Sequence, residues 1–135
     1  MPGPGVRWQA RLPTCVRVGE TFWLALKIDD KWGNPSDQMD RTLRLVAEGG
    51  AIGGLPETLR FTPDSFAAVA EGLRVNDAGD VAIRVSDEKG EELVRSNPLR
   101  VAAKDATLVH FWGDTHGQSN ETLGTNDARQ YFEFG

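Results

Sequence analysis

The chain has 135 residues, 39% of them hydrophobic, with 15 basic against 20 acidic side chains and a single cysteine. That length and mixed composition suit one packed core and exclude a disordered chain, and a lone Cys15 excludes an intrachain disulfide. A net charge of −5 without a Lys/Arg cluster argues against a nucleic-acid footprint, so no nucleic-acid partner is expected.

Residues 1–13, MPGPGVRWQARLP, lack the apolar stretch of a secretory signal. The longest apolar-rich run, FWLALKI, is too short to span a bilayer. No membrane partner is expected, and the expected location is cytoplasmic, or periplasmic if a leader has been removed.

In chain order, residues 1–5 are rich in Pro and Gly and are expected to fray. Residues 6–12 suit a short edge strand, ended by Pro13 because Pro cannot donate to a sheet ladder. Residues 21–29 give the clearest strand: Phe22, Leu24, Leu26 and Ile28 alternate on one face, with Trp23, Ala25 and Lys27 on the other. Residues 30–37, DKWGNPSD, then turn the chain through Gly33, Asn34 and Pro35. Asp29, Asp30, Asn34 and Asp37 are oxygen donors of the kind calcium takes. Ile28 and Trp32 would occupy ligand positions of an EF-hand loop, so a plain inter-strand loop is the expectation.

Residues 41–48 form the next predicted strand, with Leu43 and Leu45 inward. The glycine cluster 49–54, GGAIGG, is followed by Leu55-Pro56 and not by a helix with a Lys–Ser/Thr pair, which points to a flexible connection and not a phosphate loop. Short strands are predicted at 58–61 and at 66–75, the latter because the turn 76–80, NDAGD, follows it. Val81, Ile83 and Val85 alternate in the next strand. A hairpin turn at 88–91 leads to residues 92–96, and Asn97-Pro98 interrupts a strand that resumes at 99–101. Trp8, Trp23 and Trp32 are all compatible with core positions.

Roughly seven short strands with turn signals between them predict an all-β fold, an immunoglobulin-like antiparallel β-sandwich over residues 1–104. No Cys–Trp–Cys pin is present. Residues 102–106, AAKDA, read as a polar linker. The character then changes to a strand (108–112), a Gly-punctuated polar loop (113–125) and the start of a helix (126–134). This is the opening of a β→α unit, placed in a second region, residues 105–135.

Any chemistry in the chain is expected in that region. Asp114, His116, Gln118, Ser119 and Glu121 fall within eight positions. Asp offers a hard oxygen and His a borderline nitrogen, and ligands gather at strand ends of this kind. Gly113 and Gly117 let the backbone approach an ion closely. Asp114 and His116 are therefore the metal-ligand candidates, with Gln118 beside them. Ser119, Glu121 and Thr122 are the substrate-contact candidates. The competing reading is a capped loop in which Asp114 accepts backbone N–H bonds.

The stretch FWGDTHGQSNETLGTNDARQYFEF, preceded at a distance by Ser96-Asn97-Pro98, resembles the opening of a bacterial family of unknown function. That family lies near the polymerase-and-histidinol-phosphatase (PHP) metallohydrolases. The resemblance implies that residues 105–135 begin a (β/α) barrel, truncated here after its opening strand-loop-helix. It implies a di- or trinuclear divalent metal site (Mn, Zn or Fe) that activates water against a phosphate or sulfate ester. His116 matches the first histidine of the superfamily's His-x-His motif. Gln118 stands where the second would be and is a poor ligand, which puts its role in doubt. Asp114 would then ligate the metal or orient His116.

The other ligands would come from later strands that this chain does not contain. The expectation is an N-terminal portion of a metal-dependent hydrolase, with no complete catalytic set and no metal bound by the fragment itself. Its partner would be the remainder of the barrel domain. The alternative is a stand-alone β-sandwich binding or accessory module with a partner-docking tail. A homodimer through two tails is the remaining way to complete a site.

Overall fold

The computed structural model describes residues 2–37, 39–63, 65–107, 127 and 129. Among the described residues, nine strands run in chain order: β1 (Arg7–Arg11), β2 (Cys15–Arg17), β3 (Phe22–Asp29), β4 (Arg41–Glu48), β5 (Thr58–Phe61), β6 (Ala67–Leu73), β7 (Gly79–Ser86), β8 (Glu92–Arg95) and β9 (Leu99–Ala102). They form a three-stranded sheet, β1-β3-β6, and a six-stranded sheet, β2-β9-β7-β4-β5, with β8 also on β7. The described residues contain no helix long and apolar enough to cross a membrane.

Alternation builds both sheets. Phe22, Leu24, Leu26 and Ile28 of β3 are buried, as are Leu43 and Leu45 of β4 and Val81, Ile83 and Val85 of β7. Leu99 and Val101 of β9 complete the inner face of the larger sheet. The two apolar faces meet in one core, the β-sandwich solution to two half-apolar sheets. Trp8, on β1, reaches across to Phe61 on β5 and meets its ring edge-on at 5.3 Å between centroids.

The strand order is that of an immunoglobulin-like sandwich. β1, β3 and β6 lie where the first, second and fifth strands of that fold lie, and β4, β7 and β8–β9 form the facing sheet. One pairing departs from the expected antiparallel pattern: β2 runs parallel to β9, with Cys15 opposite Arg100 and Arg17 opposite Ala102. The first strand thus changes sheets at Leu12-Pro13, where Pro13 has no N–H to continue the ladder.

Asn97 holds that crossing. Its Oδ1 accepts from Leu12 N at 2.9 Å, and its Nδ2 donates to Leu12 O at 3.0 Å. The side-chain amide thus stands in for a neighbouring peptide. Ser96 works beside it: its Oγ accepts from Ile83 N at 2.9 Å while its own N–H donates to Ile83 O at 2.9 Å. The break at Asn97-Pro98 divides one edge of β7 between β9, opposite Gly79–Val81, and β8, opposite Arg84–Ser86.

Two expectations change. The segment before β1 is tied down: Gly3 N donates to Asp30 Oδ2 at 3.0 Å, Ser36 Oγ donates to Gly3 O at 2.8 Å, and Val6 N donates to Asp29 O at 2.8 Å. Fraying is prevented there by long-range bonds that composition does not reveal. Residues 103–106 are also anchored, by Arg17 Nε donating to Ala106 O at 3.3 Å and Val18 N donating to Ala102 O at 2.9 Å.

The register fixes the two ends of the module. Arg7 faces Asp29, Arg41 faces Phe61, and Ser86 faces Glu92, so the leading segment and the turns after β3, β5 and β7 gather at one end. Val101 faces Gly79, so β9 delivers the chain to the opposite end.

Candidate functional site

Asp114, His116, Gln118, Ser119, Glu121 and Thr122, the metal and substrate candidates, lie outside the described residues, as does the strand-loop-helix expected around them. Among the described residues, no group of three or more His, Cys, Asp or Glu side chains is arranged to hold a metal ion. Among the described residues, the candidate contact surface is the loop end of the sandwich.

The turn after β3 is organised by Asp30, which is buried. Its Oδ1 accepts from Trp32 N and Asn34 N, both at 2.9 Å, and its Oδ2 accepts from Gly3 N at 3.0 Å and Asn34 Nδ2 at 3.2 Å. Gly33, at φ 91°, supplies the left-handed residue the turn needs. These donors lower the Asp30 pKa from 3.8 to about 2; the Gly3 N–H contributes most, burial opposes it, and Asn34 and Trp32 add to it.

Asp29, also buried, points to the outer face of the three-stranded sheet. Gln9 Nε2 donates to its Oδ2. Arg7 stands 3.7 Å from Oδ2 and Lys27 Nζ 3.2 Å from Oδ1. Oδ1 accepts no hydrogen bond among the described residues, so Lys27 compensates it as an ion pair alone. The two carboxylates that invited a calcium reading are thus consumed separately. One is filled by N–H donors and the other is neutralised by cations, and neither presents free lone pairs to a common point.

Around this framework the surface is apolar and aromatic. Trp32 is 70% exposed and Phe66 51% exposed, and Val6 is exposed beside them. Lys31 Nζ lies 4.1 Å from the centroid of the Trp32 ring, a cation–π contact worth about 0.5–1 kcal/mol at an exposed site. Two shallow recesses flank the leading segment. One, of about 460 Å³, is lined by Pro2, Asn34, Pro35 and Phe66; the other, of about 250 Å³, by Pro4, Val6, Asp30, Lys31 and Trp32. Of the tryptophans open to a core reading, Trp8 packs against the core, while Trp23 and Trp32 are exposed. Position carries that signal: Trp23 sits on the mixed face of β3, and Trp32 in a turn. This end of the molecule offers contact area, and no group of three or more His, Cys, Asp or Glu is arranged there to hold a metal among its described residues.

No family model matches the chain, and no curated protein matches it. Among solved structures it is similar to the PKD domain of an M14-like peptidase from Thermoplasmatales archaeon SCGC AB-540-F20. The identity is 15% and the TM-score 0.37, over 75% of this chain and 98% of that one.

Proposed function

We propose that the β-sandwich is a non-catalytic accessory module that binds or positions a partner through its loop end. The observation that carries this reading is the use of Asp29 and Asp30. The adjacent carboxylates at the end of β3 are committed to holding the fold, while Val6, Trp32 and Phe66 face solvent. Exposed aromatic side chains on a rigid framework are contact groups. The test uses the purified chain, equilibrated with Mn²⁺ or Zn²⁺ and assayed with aryl phosphate and aryl sulfate. The expected result is no stoichiometric metal and no turnover; tight metal binding with hydrolysis would make the chain an enzyme and overturn the reading.

A second reading concerns residues 105–135, and the motif WGDTHGQS favours it. In this reading the region opens a metal-dependent hydrolase of phosphate or sulfate esters, with Asp114 and His116 in the ligand set, Gln118 doubtful, and Ser119, Glu121 and Thr122 toward substrate. The divalent metal would supply an activated water. Its test is metal content in a protein carrying the whole of that domain: Asp114→Ala and His116→Ala each lower bound metal, whereas retention of full metal by both variants removes them from the ligand set.

A further inference from the structure

The leading segment, Pro2-Gly3-Pro4-Gly5-Val6, runs along the end of β3 and the turn after it, and it is held there through its backbone. Gly3 N donates to Asp30 Oδ2 at 3.0 Å, Gly3 O accepts from Ser36 Oγ at 2.8 Å, and Val6 N donates to Asp29 O at 2.8 Å. None of its side chains joins the hydrophobic core, and Pro4 and Val6 are exposed. Core contacts begin only with Trp8 and Ala10, inside β1. A segment held by backbone bonds, with no apolar side chain in the core, opens at far lower cost than the sandwich unfolds.

The groove beneath it is built without it. Asp30 is fixed in its turn by Trp32 N, Asn34 N and Asn34 Nδ2, and Ser36 is fixed by its own N–H, which donates to Ile28 O at 2.9 Å. Asp30 Oδ2, Asp29 O and Ser36 Oγ therefore stay in place to meet an extended backbone. The floor also selects residues. A Cβ on Gly5 would come within 2.6 Å of Ile28 Cδ1 and 2.8 Å of Cγ1, and Ile28 is buried and β-branched, so it cannot swing aside. A Cβ on Gly3 would stand 3.3 Å from the Trp32 ring. The prolines between these glycines line the two recesses, Pro2 with Phe66 and Pro4 with Trp32.

We propose that this groove is a peptide site, filled in cis by residues 2–6, and that it takes an extended Gly-x-Gly segment of another polypeptide when they leave it. The inference rests on the reading of the loop end as a contact surface and names its partner. The seated segment specifies the occupant. It needs a backbone N–H for Asp30 Oδ2, a backbone carbonyl for Ser36 Oγ and a second N–H for Asp29 O. It needs no Cβ at the two positions over Trp32 and Ile28, and apolar residues between and beside them to lie against Trp32 and Phe66. Main-chain bonds to the end of a strand supply the affinity, and the alternate side chains supply the selection.

The full chain carrying Gly5→Val tests this, because a side chain at that position cannot sit over Ile28 and the segment lifts while β1 stays paired. The indole N–H resonance of Trp32 reads the groove. Gly5→Val is expected to move that resonance, and a synthetic PGPGV peptide to return it toward its wild-type position, with half-saturation at about millimolar peptide. The wild-type chain responds at least about tenfold more weakly, because its own segment competes at an effective concentration of about millimolar or above. A PGPVV peptide restores nothing. Deleting residues 2–5 empties the groove without any substitution and carries the same peptide test if Gly5→Val misfolds. A Trp32 resonance that Gly5→Val leaves in place overturns the proposal. So does an emptied groove that PGPGV fails to fill, or that PGPGV and PGPVV fill alike. Each of those outcomes leaves the non-catalytic reading standing, which metal binding with hydrolysis would overturn.

Discussion

Replacing Asn97 by alanine tests the joint on which the sandwich depends. The wild-type amide makes two bonds to the peptide of Leu12, to N at 2.9 Å and to O at 3.0 Å, and a third to Pro98 O at 3.2 Å. Alanine strands the N–H and C=O of Leu12, a buried residue beside Pro13. A stranded buried polar group costs about 1–3 kcal/mol. Water reaches part of this site, since Asn97 is only half-buried, so the lower part of that range applies to each group. The expected loss is about 2–3 kcal/mol, or about 10–20 °C in melting temperature for a sandwich of this size.

Urea denaturation of wild type and variant, with the m-value held constant, measures it. Asn97→Asp gives the chemical control. It keeps the acceptor for Leu12 N but sets a carboxylate oxygen against the Leu12 carbonyl, so at neutral pH it recovers none of the loss. Protonating that carboxyl restores a donor, so its deficit narrows in acid. A loss below about 0.5 kcal/mol for Asn97→Ala, the usual range for surface changes, would refute the role given to Asn97.

Acid should loosen the loop end. Because the Asp30 pKa is lowered from 3.8 to about 2, its stabilisation is complete above the ordinary carboxylate value and is lost as pH falls toward 2. Asp30→Asn should flatten melting temperature against pH in that window; an unchanged slope would assign the acid sensitivity elsewhere. Gly49 adopts φ 81°, and a Cβ there would collide with the Asp80 backbone carbonyl, whereas Gly19, at φ 82°, faces open space. Gly49→Ala should therefore destabilise by more than about 1 kcal/mol and by clearly more than Gly19→Ala in parallel thermal melts. Glu48 binds Arg84 at 3.1 Å and Arg95 at 3.0 Å across three strands, but all three are partly solvated, so Glu48→Gln should cost under about 1 kcal/mol and lose its effect in high salt.

The strands that could be read from sequence are those with enough length for alternation to show. β3 and β7, with eight residues each, follow the predicted inward sets residue for residue. The interruption at Asn97-Pro98 was also legible, because Pro and the residue before it leave a local mark. β2 was not. Cys15–Arg17 is too short for periodicity, and what makes it a strand is a parallel partner, β9, far along the chain. The same holds for Gly3, whose N–H finds Asp30 at a separation of 27 residues. Composition marks such a segment as loose because composition carries no long-range partners. At the loop end, the acidic residues were visible as a cluster, but their different fates depend on position: Asp29 leaves the outer face of β3, and Asp30 sits in the turn beyond it. The motif WGDTHGQS carries its reading by residue types alone, since residues 108–126 lie outside the described part.

The polar side chains that stand out in the sequence of the sandwich sit where the backbone must do something a regular ladder cannot. Asp30 gathers the N–H groups of a turn and of the leading segment, Ser96 and Asn97 splice an interrupted strand, and Asn97 also seals the crossing of the first strand between sheets. Residues of this kind resemble a site in sequence because both need convergent polar atoms, yet here most of their hydrogen bonds go to backbone. The exposed aromatic groups Trp32 and Phe66 sit at the same loop end as Asp30 and away from Asn97. Trp32 and Phe66 lie at the end where β3 finishes, and Ala102 hands the chain on at the end where β3 begins. Eight residues of β3 set that separation at about 26 Å. Trp32 and Ala106 are thus kept apart by the length of the sandwich.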